Sequence, residues 1–128
     1  MEFMHRDLRW ENVLKYINRD KWFIIDFDEA CHVPSVVPNT QLVRESHAPE
    51  IFEPFHKESV DIWSVGYLVL MASVVLQETD ELKVYAKMNL MAKDESNRPT
   101  AGAALWWLWS KYRDILRGEF LEKEMEES

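Results

Sequence analysis

Residues 5–12 read H-R-D-L-R-W-E-N, and residues 22–27 read W-F-I-I-D-F, so Asp26 follows Asn12 by fourteen positions. Between them lie a short apolar run, V-L-K-Y-I at 13–17, and the polar stretch Asn18-Arg19-Asp20-Lys21. Two brief runs about a polar turn, the second rich in aromatic and β-branched residues, predict a β-hairpin. That hairpin would return the chain from Asn12 to Asp26. Downstream, residues 32–58 hold four of the five prolines. They show no steady period and read as one long loop with room for a helical turn, and a long loop inside a compact domain is usually functional. Three helical patterns follow, over about 59–77, about 80–93, and a third that begins after Arg98-Pro99-Thr100, with Pro99 suited to its first turn, and runs through Trp106, Trp109, Ile115 and Leu116. The expected class is α+β: a mainly helical body with a small β-hairpin carrying the polar residues.

The chain has 128 residues with 15 Lys+Arg against 23 Asp+Glu, a net charge of −8. A 47% hydrophobic share with 12% aromatics excludes a disordered chain. The acidic balance argues against a nucleic-acid partner or an anionic membrane, because phosphates attract clustered Lys and Arg. Half of that charge sits in residues 119–128, E-F-L-E-K-E-M-E-E-S. The boundaries expected are a folded domain over 1–117 and an acidic tail over 118–128. Cys31 is the single cysteine, which excludes an internal disulfide and suits a reducing compartment. M-E-F-M-H-R-D offers no signal-peptide core, so the location expected is intracellular and cytoplasmic. Residues 62–76 carry no charge over fifteen positions. A bilayer span needs about 20 apolar residues, so this run predicts a helix buried on all faces.

The polar residues form a chemical set. An Asp that accepts a hydroxyl proton, followed by an Asn and a second Asp able to hold magnesium, is what phosphoryl transfer requires. Taken singly, an Asp-Asn pair in a loop is usually a turn former, and a lone Asp26 is more often a strand-end residue.

Together the motifs strongly resemble the C-terminal lobe of a eukaryotic protein kinase. His5-Arg6-Asp7 with Asn12 matches the catalytic loop H-R-D-x-x-x-x-N, Asp26-Phe27-Asp28 stands where D-F-G belongs, and Ala48-Pro49-Glu50 matches A-P-E. Asp61-Ile62-Trp63-Ser64-Val65-Gly66 is similar to the D-x-W-S-x-G that opens the lobe's central helix, and residues 94–101 to its Arg-Pro segment. The resemblance implies a protein kinase, Ser/Thr in type, that moves the γ-phosphate of ATP to a protein hydroxyl with Mg2+. It implies Asp7 as the catalytic base, Asn12 and Asp26 as the magnesium and nucleotide residues, and Arg9 beside the transferring phosphate. Arg6 would meet a phosphorylated residue of the activation loop. His5 and Phe27 would align the two loops, Glu50 and Arg98 would form a buried ion pair, and Asp61 would bind the catalytic-loop backbone. Trp63 is implied as scaffold.

Some positions depart from the family pattern. Asp28 replaces a glycine, whose backbone freedom other residues lack, and reads as a restraint on the loop or an added carboxylate near the metal. Trp10 stands where proline is usual. Arg98 follows Asp61 by only 37 positions, so the helix that docks protein substrates is expected to be missing or reduced. The D-F-D and S-H-A-P-E wording resembles divergent orphan kinases of fungi. Gly66, Gly102 and Gly118 form no G-x-G-x-x-G, and no V-A-I-K lysine precedes residue 5. The chain therefore reads as a fragment without the N-terminal lobe, weak in Mg-ATP binding by itself. The uncovered face of residues 60–77 would be an apolar patch open to self-association. Two other readings compete. One is a catalytically silent kinase-like binding module. The other is a small-molecule phosphotransferase of the aminoglycoside-kinase type, which Ala48-Pro49-Glu50 and the 61–66 motif disfavour.

Overall fold

The chain enters as a two-residue strand, β1 (Phe3–Met4), passes through residues 5–9, and tightens into a 3-10 turn at Trp10–Asn12. It then forms the hairpin β2 (Val13–Lys15) and β3 (Trp22–Ile24), antiparallel with Val13 opposite Ile24 and Lys15 opposite Trp22. Tyr16 N–H closes the turn on the Lys21 carbonyl at 3.0 Å, and Lys15 pairs with Asp20 at 2.9 Å. A second small sheet joins β1 to β4 (Cys31–His32), again antiparallel. The computed structural model describes residues 3–35, 38, 42–72 and 79–113. The chain divides into two compact units, Met1–Arg98 and Pro99–Ser128.

The stretch expected as one loop is more ordered than its prolines imply. His32 belongs to β4, Ser35 bridges to His56, and Arg44–Ser46 and Pro49–Phe52 are 3-10 turns, the second with Pro49 in its first turn. These short elements share a core of Met4, Ala48, Ile51 and Val60, against which Cys31, Val33, Leu42, Phe52 and Trp63 pack.

The uncharged run begins as helix α1 (Ser59–Met71). It ends sooner than its apolar pattern predicts: Ala72 is extended, and residues 73–77 of the expected helix lie outside the described residues. The last carbonyls of a helix need outside donors. Here the Trp10 indole N–H donates to the Leu68 carbonyl at 3.0 Å, and Lys83 Nζ to the Ala72 carbonyl just beyond the helix at 3.4 Å. Nor is α1 buried on all faces. Val60, Ser64 and Gly66 are buried, while Val65 and Met71 are exposed, because the described neighbours cover one side of the helix. Among the described residues, no helix is long and apolar enough to cross a membrane.

The second helical pattern becomes α2 (Thr79–Tyr85) followed by a π-helical turn, Ala86–Leu90, where Met91 N–H reaches the Ala86 carbonyl at 2.8 Å. That wide turn sits against Gly66. A methyl group added there would lie 2.7 Å from Met91 Cγ and 2.9 Å from Leu90 Cβ. Gly66→Ala gains about 1 kcal/mol of helix propensity but incurs about 1–3 kcal/mol of overpacking. A lower urea midpoint is expected; an unchanged or higher one would show that α1 and the π turn separate freely.

In the second unit, residues 101–113 are helical (α3). Thr100 caps them, its Oγ1 accepting from Ala103 N–H at 3.1 Å. Pro99 thus precedes the cap and is not itself in the first turn. Ile115, Leu116 and the acidic tail lie outside the described residues.

Candidate active site

Two backbone amides anchor the turn that carries the polar residues. His5 N–H donates to Asp61 Oδ2 at 2.6 Å, and Arg6 N–H to Asp61 Oδ1 at 2.8 Å. Arg6 has φ 71°, a left-handed backbone that costs a non-glycine residue about 1–2 kcal/mol. The single carboxylate on the first turn of α1 holds both amides and so fixes that conformation. Burial raises the Asp61 carboxyl above its usual 3.8, against the pull of these two backbone donors and of the neighbouring Arg6 charge. The folded chain therefore binds this proton more readily than the unfolded chain does. The resulting stability is full below pH 3.8 and is lost as pH rises through the raised folded value. Asp61→Asn cannot titrate. The wild-type minus Asp61→Asn difference in unfolding free energy should thus decline with rising pH, read by urea titration from acid to neutral pH; a rising difference would contradict this assignment.

Asp7 is only 7% exposed. Asn12 Nδ2 donates to the Asp7 carbonyl at 2.8 Å and approaches its Oδ2 at 3.4 Å. With Nδ2 committed, the Asn12 amide oxygen is the atom left to face a cation. The hairpin then brings the far end back: Ile25 N–H donates to the Asn12 carbonyl at 2.9 Å, placing Asp26 one residue beyond that contact. His5 ties the same two ends. Its Nδ1 accepts from Asp7 N–H at 3.1 Å, so Nε2 carries the hydrogen and donates to the Ile25 carbonyl at 3.0 Å. Phe27 meets the His5 ring edge-on at 4.9 Å.

Asp26 is exposed and left-handed, with φ 62°. Asp tolerates that region better than most residues. The special backbone thus falls on Asp26, while Asp28 is not left-handed and needs no glycine-like freedom. Asp28 N–H approaches Asp26 Oδ1 at 3.4 Å. Arg9 is half exposed, its Nε 3.9 Å from both Asp7 Oδ1 and Glu11 Oε2. Asn12 and Asp26 offer oxygen donors of the kind magnesium accepts one or two of, its remaining positions going to water and phosphate. Among the described residues, no group of three His, Cys, Asp or Glu is placed to hold a metal alone.

The other sequence-derived residues support this arrangement. The Arg6 guanidinium is engaged, with Nε donating to the Glu29 carbonyl, Nη2 4.0 Å from the Glu29 carboxylate and Nη1 3.3 Å from His56 Nε2. Arg98 meets Glu50 through both terminal nitrogens, Nη2 to Oε2 at 3.0 Å, and also donates to the carbonyls of Ser59 and Ala92. Trp63 stacks on Tyr67 and leans on the core. Sequence reasoning passed over His47 and His56, both buried. The only signal for His47 is its place directly before Ala48-Pro49-Glu50.

The family model described as the protein kinase domain matches residues 1–99. Among curated proteins, Crinkler effector protein 8 of Phytophthora infestans is 42% identical over an alignment of 107 residues that covers 80% of this chain. The chain spans 18% of that relative's length.

Proposed function

The chain belongs to the protein kinase family, and from that premise we propose that its residues 3–98 form the C-terminal lobe of a phosphotransferase acting on a protein hydroxyl, of the Ser/Thr type. The observation that carries this reading is the convergence of Asp7, Asn12 and the strand leading to Asp26 on one end of the hairpin. Asp7 is the base that accepts the proton of the acceptor hydroxyl. Asn12 and Asp26 would hold magnesium through oxygen atoms, and the metal, when bound with ATP, would offset charge on the γ-phosphate. Arg9 lies beside Asp7 with its guanidinium suited to a phosphate oxygen. His5 and Phe27 keep the two loops in register, and Asp61 fixes the turn from below.

Arg6, held by Glu29 and His56, ties the catalytic turn to the segment after Asp28 without a phosphate group. The 42% identical relative carries the word effector in its name; a kinase segment within a longer effector is the setting this reading gives the chain. The test is nucleotide binding measured with and without magnesium, on the chain alone and with a kinase N-terminal lobe placed ahead of it. Weak binding by the chain alone and magnesium-dependent binding by the two-lobe form are expected. Magnesium-independent binding in the two-lobe form would remove Asn12 and Asp26 from their roles.

A further inference from the structure

His47 is 2% exposed and no motif gives it a task, yet its ring is held at both nitrogens. Nδ1 lies 2.7 Å from the Val43 carbonyl oxygen and 3.1 Å from Ser46 Oγ. Nε2 lies 2.9 Å from Asp7 Oδ1. A carbonyl and a carboxylate oxygen both only accept, so each ring nitrogen faces an acceptor that a ring N–H would satisfy. One oxygen of the Asp7 carboxyl is therefore tied to a buried ring, and Oδ2 is the one left to meet an acceptor hydroxyl. The long 3.4 Å approach of Asn12 Nδ2 to Oδ2 is too weak to set the carboxyl's orientation by itself. The ring in turn is held from its own segment. Ala48 next to it is fully buried in the core, and Glu50 three residues on is pinned by Arg98.

We propose that His47 is a positioning residue for Asp7, making the orientation of the candidate base depend on the seating of the segment that ends in Ala48-Pro49-Glu50. The proposal deepens the reading of Asp7 as base and rests on it. It adds a physical link: loss of the Glu50–Arg98 anchor would release His47, and release of His47 would free the Asp7 side chain to sample other rotamers.

The test uses nuclear magnetic resonance on the full 128-residue chain. Asp7→Asn should shift the Nε2 resonance of His47 while the ring nitrogens of His32 and His56 stay in place. In the other direction, His47→Leu should replace the single Asp7 side-chain rotamer by averaging, seen in its three-bond couplings, and His47→Gln, which keeps a donor, should restore much of the fixed rotamer. An unmoved His47 Nε2 in Asp7→Asn, or an Asp7 rotamer equally fixed in His47→Leu, would overturn the proposal. If His47→Leu does not fold, the Asp7→Asn spectrum read at His47 decides the question. These spectra are independent of catalysis. Phosphotransfer that survives Asp7→Asn would remove Asp7's role as base and leave the His47 contact intact, whereas failed spectra would remove His47 and leave the base.

Discussion

Asp7→Asn, in the chain with a kinase N-terminal lobe ahead of it, should lower phosphotransfer by about 10²–10⁴-fold, the usual contribution of a positioned general base. Its Mg-ATP affinity should stay at the wild-type level. The two halves of this expectation follow from where the atoms stand. Asp7 has Oδ1 on His47 and Oδ2 only 3.4 Å from Asn12 Nδ2, so on the proposed reading removing its charge alters the acceptor side of the reaction. Asp26→Asn should show the opposite order of loss, with Mg-ATP binding weakened first, because on the proposed reading its exposed carboxylate is the one that would hold the cation. Titration of nucleotide into both variants, followed by transfer rates at saturating ATP, separates the two roles. Equal losses of nucleotide binding in the two variants would contradict them.

Arg98→Ala should destabilise the fold by about 3–5 kcal/mol, the typical cost of removing one partner from a buried ion pair. The Arg98 side chain is fully buried and that of Glu50 is partly buried, at 17% exposure. The loss is compounded because the same guanidinium donates to the Ser59 carbonyl at 3.1 Å and the Ala92 carbonyl at 2.9 Å. Its removal leaves a carboxylate and two carbonyls short of donors at the junction of three segments. Against a total stability of about 5–15 kcal/mol for a domain, this is a large fraction. Urea unfolding of the full chain measures it, with Arg98→Lys expected to fall between wild type and Ala since it keeps the charge and loses the fork. An Arg98→Ala midpoint equal to wild type would show that the pair carries no stability.

What the sequence reveals of this fold depends on how local each signal is. The hairpin over 13–24 is legible because two apolar runs and a polar turn are adjacent in the chain. The β1–β4 pairing is not, since Phe3 and His32 are partners across a long separation and each strand is two residues long, too short for a period. The fifteen uncharged residues from Ile62 announce a helix but not its end, because Ala72 turns extended with neither Gly nor Pro beside it and Trp10 supplies a carbonyl's donor from across the fold.

The site divides in the same way. Asp7, Asn12 and Asp26 stand in short motifs whose spacing can be read directly, whereas the Glu50–Arg98 pair, 48 positions apart, is implied only by the family resemblance. His47 and His56 act through contacts with Asp7 and Arg6 that span 40 and 50 positions, and only the folded chain brings them together. Asp28 is the instructive case. Its replacement of a glycine points to backbone strain at that residue, whereas the left-handed position is Asp26, a residue type that accepts it.

The most direct measurement of the central claim follows labelled γ-phosphate from ATP in the two-lobe form of the chain, with magnesium and with magnesium chelated. The account predicts label on a hydroxyl side chain of a protein acceptor, dependent on magnesium and abolished in Asp7→Asn. A two-lobe protein that binds Mg-ATP and transfers no label would contradict it and would favour a silent binding module.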